Sequence, residues 1–185
     1  MRIFTTLAFI LIIFSLAGCK ATEAGISTTP QPEPAQVGLS GERFTSSDGF
    51  YSFILPDEWE LTEEASGFVR ISAPSSDGYV PNLVTSQAEG KTVLEFWSAT
   101  FQDAIIPTME GYSLISEEFF HTDSEDIYFR WESTSTQLGL MYHHVFYTFE
   151  SGAWKLVILY TRLEDTGAEW DDAVDASMRS VLFSR

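Results

Sequence analysis

From Phe50 onward the chain alternates between short apolar runs and clusters of turn-forming residues. Phe50-Tyr51-Ser52-Phe53-Ile54-Leu55 follows Ser47-Asp48-Gly49 and stops at Pro56, which predicts a strand. Phe68–Ala73, closed by Pro74 and the turn Ser76-Asp77-Gly78, predicts a second, and Asn82–Ala88 a third. Thr92-Val93-Leu94-Glu95 then has the spacing of a capping box. Apolar residues at 93, 94, 97, 101, 104 and 105 predict a helix that ends near Pro107. Four longer strands come next: Tyr112–Phe120, Ile127–Ser133, Leu140–Phe149 and Trp154–Thr161. Within Ile127–Ser133 the alternation puts Ile127, Phe129 and Trp131 on one face and Tyr128, Arg130 and Glu132 on the other. Leu140–Phe149 is bulky on both faces, as a central strand covered on both sides would be. Apolar residues at 170, 174, 178, 181 and 182 predict a closing helix, with acids favouring its N-terminal end. Strands in runs joined by tight turns make an antiparallel sheet, and helices on its faces make the fold α+β.

The first residues follow a different rule. Arg2 precedes a nearly unbroken apolar stretch, Ile3–Ala17, shorter than the roughly 20 residues that span a bilayer. Leu16-Ala17-Gly18-Cys19 resembles the bacterial lipobox, and Cys19 is the only cysteine of the 185 residues. A lone thiol forms no internal disulfide, so the expectation is a lipoprotein signal peptide over 1–18 and a diacylglycerol-modified Cys19 at the new N-terminus. That location is the extracytoplasmic side of a bacterial membrane. Residues 19–41, with prolines at 30, 32 and 34, bury too little to fold and read as a tether. A single domain, 42–185, follows, and it must be stabilised by its core without disulfides.

Charge narrows the partners. The chain carries 27 Asp and Glu against 10 Lys and Arg, net −17. This excludes the basic footprint of a nucleic-acid binder and implies a partner that presents basic groups. The sequence shows no metal or catalytic set. Glu63-Glu64, Glu117-Glu118 and His143-His144 are adjacent on strands, so each pair is split between opposite faces. His121 approaches one of the histidines only if the strand register allows it. Asp123-Ser124-Glu125-Asp126 lacks the glycine and spacing of a calcium loop and reads as a hairpin connection. No nucleophile elbow, phosphate loop or zinc-protease motif occurs. The tryptophans 59, 97, 131, 154 and 170 read as core. No catalytic residue, metal or cofactor is assigned, and the chain is expected to be a monomer.

"FYSFILPDEWE" (Phe50–Glu60), "PNLVTSQAE" (Pro81–Glu89) and the closing "SMRSVLFS" (Ser177–Ser184), with a helix and a meander between, resemble the PsbP-like superfamily, which includes the DcrB-like proteins. The resemblance implies an antiparallel sheet flanked by helices. It also implies a non-enzymatic role in binding or assembling other proteins, and it carries over no catalytic residue. The alternative is an extracytoplasmic carrier of a small molecule or cation, or a hydrolase, using the gap between sheet and helix. A gap without polar groups favours the binding module. A cavity lined by His143 or His144 with converging acids favours the carrier.

Overall fold

The computed structural model describes residues 38–65, 68–74, 80–89, 97–152 and 154–184. The strands sort into two antiparallel sheets. β1 (Leu39–Thr45), β2 (Tyr51–Pro56) and the short β10 (Leu182–Phe183) form the smaller, in the order β1-β2-β10. β3 (Glu60–Ala65), β4 (Phe68–Ser72), β5 (Asn82–Glu89), β6 (Ser113–His121), β7 (Ile127–Gln137), β8 (Leu140–Ser151) and β9 (Trp154–Leu163) form the larger. Its order is β3-β4-β5-β9-β8-β7-β6, so the meander expected from the sequence is one half of it. β5 closes the other half against β9, with Leu83 opposite Tyr160 and Val84 opposite Leu159.

Each face of the larger sheet has its own cover. On one side the smaller sheet and α1 (Asp171–Arg179) bury Tyr51, Phe53, Trp59, Val174 and Met178 against Ile71, Leu83, Tyr147, Phe149, Ile158 and Tyr160. On the other, a π-helical segment, Trp97–Ile105, lays Phe101 and Ile105 on Phe129, Trp131, Phe146, Val157 and Leu159. β8 therefore has cover on both faces, and Tyr142–Phe149 is buried without a break. Trp59 and Trp131 are core residues, and Trp170 packs edge-on against Trp59 with ring centres 5.5 Å apart.

Several boundaries differ from the sequence expectation, for identifiable reasons. β1 takes in Leu39, Ser40 and Gly41, assigned above to the tether, because Leu39 pairs with Pro56 and the Asp57 amide donates to the Gly38 carbonyl at 2.9 Å. β1 and β3 escape the hydrophobic pattern: β3, Glu-Leu-Thr-Glu-Glu-Ala, is an edge strand exposed along its length. The predicted closing helix is shorter than its apolar stripe. It ends at Arg179, and Leu182 leaves it to pair with Ser52 of β2. The segment after residue 96 is wound as a π-helix, followed by a 3₁₀ turn, Ile106–Thr108, that holds Pro107. The capping box at Thr92–Glu95 lies outside the described residues.

Candidate functional site

Strand period and register bring a charged cluster to one end of the gap between the larger sheet and α1. On β7 the alternation that sends Phe129 and Trp131 to the π-helical side sends Arg130 and Glu132 toward α1. β8 contributes His143 and Tyr147, and β9 contributes Tyr160 and Arg162, with His143 opposite Arg162. α1 presents Asp171 and Asp175, one turn apart.

These groups engage one another in a continuous chain. Arg162 holds Asp171 in a fork, Nε to Oδ1 at 2.9 Å and Nη2 to Oδ2 at 2.8 Å, and Tyr160 donates to the same carboxylate at 3.0 Å. Arg130 donates from Nη1 to Glu132 at 2.8 Å and from Nε to Asp175 at 3.2 Å, and the Tyr147 hydroxyl also donates to Asp175. Between the two arginines lies His143, its side chain only 6% exposed. Its Nδ1 meets Glu164 at 2.9 Å. Its Nε2 is 2.8 Å from Glu132 but off the direction of a hydrogen bond, so that contact is electrostatic.

The turn into α1 is built around this cluster. Gly167 has φ +86° and its carbonyl accepts the Tyr160 hydroxyl. A Cβ there would lie 2.9 Å from the Pro81 ring and 3.3 Å from Arg162 Cβ, so only glycine fits.

The electrostatics fix the charge states. Burial alone would raise the Glu132 carboxyl, but the hydrogen bond and charge of Arg130, and then His143, bring it below the usual range. Burial lowers Arg130 and Arg162; for Arg130 the charge of Asp175 and the hydrogen bond and charge of Glu132, and for Arg162 the contacts with Asp171, outweigh it and raise both. Burial, with Asp175 in one case and Asp171 in the other, pushes the Tyr147 and Tyr160 hydroxyls upward and keeps them protonated. The set is thus arginines held charged, phenols held neutral and carboxylates already accepting. Its chemistry is that of a clasp joining β7, β8 and β9 to α1.

His144 occupies the opposite face, as the strand period requires. Its Nε2 is 2.8 Å from Ser135 Oγ and its Nδ1 is 3.4 Å from Thr161 Oγ1. Burial, and then the charge of His143, push its pKa down to about 4, so the ring is neutral at pH 7. Ser135 with His144 has the spacing of a nucleophile and its base, yet both are closed off from solvent.

The other candidates stay apart. Glu63 faces Arg70 while Glu64 faces Val69, and Glu117 faces Trp131 while Glu118 faces Arg130. His121 pairs with Ile127 and His143 with Thr134, at opposite ends of β7, so they cannot share a ligand. Asp123–Asp126 forms the β6–β7 connection, closed by Ser124 to Asp126 at 3.1 Å and the Asp126 amide to Thr122 at 3.1 Å. Among the described residues no group of three or more His, Cys, Asp or Glu is placed to hold a metal ion. Cys19 lies outside them. Sequence reasoning missed the clasp. Its one local signal was the pairing of Arg130 with Glu132 on a single strand face; the rest depends on register.

The sequence matches no family model and no curated protein. Solved structures do match. The Ran-binding protein Mog1p of Saccharomyces cerevisiae is 8% identical with a TM-score of 0.59, over 79% of this chain and 96% of that one. LpqN of Mycobacterium tuberculosis, involved in cell envelope biogenesis, is 15% identical with a TM-score of 0.59, over 78% and 90%. The cyanobacterial PsbP (CyanoP) of Synechocystis is 16% identical with a TM-score of 0.56, over 84% and 100%. The chain also spans 50% of a longer Bacteroides thetaiotaomicron protein, with a TM-score of 0.52 at 15% identity. At such identities the likeness is one of fold, and the fold is the α+β antiparallel sandwich of the PsbP and Mog1 proteins.

Proposed function

We propose that this chain is an envelope lipoprotein whose domain acts by binding another protein and not by catalysis. In this reading residues 1–18 are removed, diacylglycerol on Cys19 anchors the chain on the extracytoplasmic side of a bacterial membrane, and residues 19 to about 38 tether the domain. No described helix is long and apolar enough to cross a membrane. The observation that carries the binding role is the clasp. Arg130, Glu132, His143, Arg162, Asp171 and Asp175 are engaged with one another inside the fold, so the most chemically capable cluster is committed to structure. The fold's appearance in a Ran-binding protein and in an envelope-biogenesis protein supports the same reading.

The test has two parts. Cys19→Ser should release the protein from membranes or leave the precursor uncleaved; unchanged retention with normal processing would overturn the anchor. A broad hydrolase screen on the full chain should show no turnover, whereas turnover lost in Ser135→Ala would overturn the binding role.

One observation favours the carrier reading: His143 sits between two carboxylates in the sheet–helix gap, so that gap is not purely apolar. Titration with Zn²⁺ and Ca²⁺ decides it. Saturable binding lost in His143→Gln would establish the carrier, and heat changes no larger than those of buffer would remove it.

A further inference from the structure

The β7–β8 hairpin turns on two residues, Leu138 and Gly139, between the paired Gln137 and Leu140. Both have positive φ, +53° and +79°. Tight turns of this kind favour Asn-Gly, because the left-handed region brings a Cβ against the following carbonyl. Leucine has no polar group to compensate. Leu138 is moreover 79% exposed, and Leu140 and Met141 beside it are exposed as well. The tip thus breaks a backbone preference and a solvation preference together, and the leucine side chain lies mostly in water, where the fold gains little from it.

The surroundings of the tip are acidic. The Glu110 carbonyl accepts the Thr136 amide at 2.7 Å, and the Glu164 amide donates to the Met141 carbonyl at 2.9 Å, which brings both residues and the adjacent Asp165 to its base. Glu110 and Asp165 are exposed, and Glu164 is exposed on the side away from its contact with His143. The exposed basic residues among those described lie elsewhere: Arg43 bonds Ser52 and the Ser180 carbonyl, and the Arg179 carbonyl accepts from Asp123 at the far end of β7.

We propose that Leu138, at the turn, with Leu140 and Met141 flanking it on opposite faces of the hairpin, forms a knob that inserts tip-first into an apolar pocket of a partner protein rimmed by Lys or Arg. This inference rests on the binding role proposed above and assigns it a surface. Charge selects the occupant. A second copy, at net −17, would bring acidic rims together, and an anionic lipid surface would repel the same rim. A basic rim would be attracted, and the apolar knob would supply the desolvated centre.

The experiment places the photoreactive residue benzoylphenylalanine at position 138 of the full chain, with positions 119 and 124 as controls, in the cells that make the protein. The expected result is a protein adduct at 138 whose cross-linked peptide holds apolar residues flanked by Lys or Arg. Its yield should fall at least fivefold at high salt and at least fivefold in Leu140→Ser/Met141→Ser. Leu138→Asn, which suits the turn better, should keep the fold while weakening retention of the adducted partner on the purified chain at least fivefold. A lipid adduct, a self-adduct, or an adduct insensitive to salt and to those substitutions would overturn the knob. Protein adducts at 119 or 124 but not at 138 would overturn the knob and spare the binding role; no adduct at any position would count against both.

Discussion

His143 and His144 are neighbours in sequence, yet one lies among carboxylates and the other is buried on the opposite face between the hydroxyls of Ser135 and Thr161. The difference yields a signed prediction. Unfolded, His144 titrates near the ordinary imidazole value of 6.5; folded, near 4, because burial penalises the charged ring. Between those values the unfolded chain binds a proton the folded one does not, so stability falls as pH drops from about 6.5 to 4. At about 1.4 kcal/mol per unit the loss reaches about 3 kcal/mol. Urea unfolding at a series of pH values should show it, and His144→Gln should flatten that window. Glu132 acts lower. Its folded pKa lies below the ordinary glutamate value of 4.5, so its stabilisation is present above that value and is lost as pH falls through the depressed one. Glu132→Gln should leave the upper window intact. A second residue effect has the opposite sign. Leu138→Asn relieves a left-handed leucine, which costs about 1–2 kcal/mol, and should raise the urea midpoint by the equivalent of about 1 kcal/mol. A lower midpoint would mean that the Leu138 side chain contributes to the fold.

At the scale of elements, α1 is held from two directions. Val174 and Met178 are fully buried in the core, and Asp171 and Asp175 bind the arginines and tyrosines of the sheet. Asp175→Ala removes the acceptor shared by Arg130 and Tyr147. It should cost about 1–3 kcal/mol, the range for leaving a buried polar group unsatisfied, moderated here because Asp175 is partly exposed. Hydrogen exchange should quicken over residues 171–179 first; uniform quickening across the sheet would show that the clasp supports the whole fold. These contacts explain what the sequence disclosed. The meander was legible because β7 alternates cleanly and β8 is bulky on both faces. Both are properties of single strands. The division into two sheets was not legible, since β2 reads like β4 and only the pairing of Leu182 with Ser52 and Phe44 with Phe53 separates them. β3 carries its own concealment: an edge strand is protected by charge, and charge erases the apolar alternation that reveals strands. The clasp was hidden for a third reason. Its members come from β7, β8, β9 and α1, and no spacing along the chain predicts that His143 and Arg162 are partners across a ladder.

The whole molecule carries two opposed electrostatic terms, and salt separates them. One is the net charge of −17, which makes the folded surface repel itself more than the expanded chain does. The other is the clasp, whose arginine–carboxylate pairs are short and largely shielded from solvent. Between 0.01 and 0.15 M salt the screening length falls from about 30 Å to about 8 Å. That change suppresses repulsion among acids spread over the surface, such as Glu60, Glu63 and Glu64 on one edge and Glu117 and Glu118 on the other. Pairs at 2.8–2.9 Å inside the sheet–helix gap are screened much less. The melting temperature of the full chain at pH 7 should therefore rise as NaCl is added over this range. Calorimetry reads it directly. In Arg162→Met, which removes the clasp's grip on Asp171 but leaves the surface acids, the melting temperature should be lower at every salt concentration while its rise with salt persists. A melting temperature that falls with salt in the unaltered chain would show that exposed ion pairs dominate. The acidic surface would then be a stabilising network, and its availability to attract a basic partner would have to be argued again.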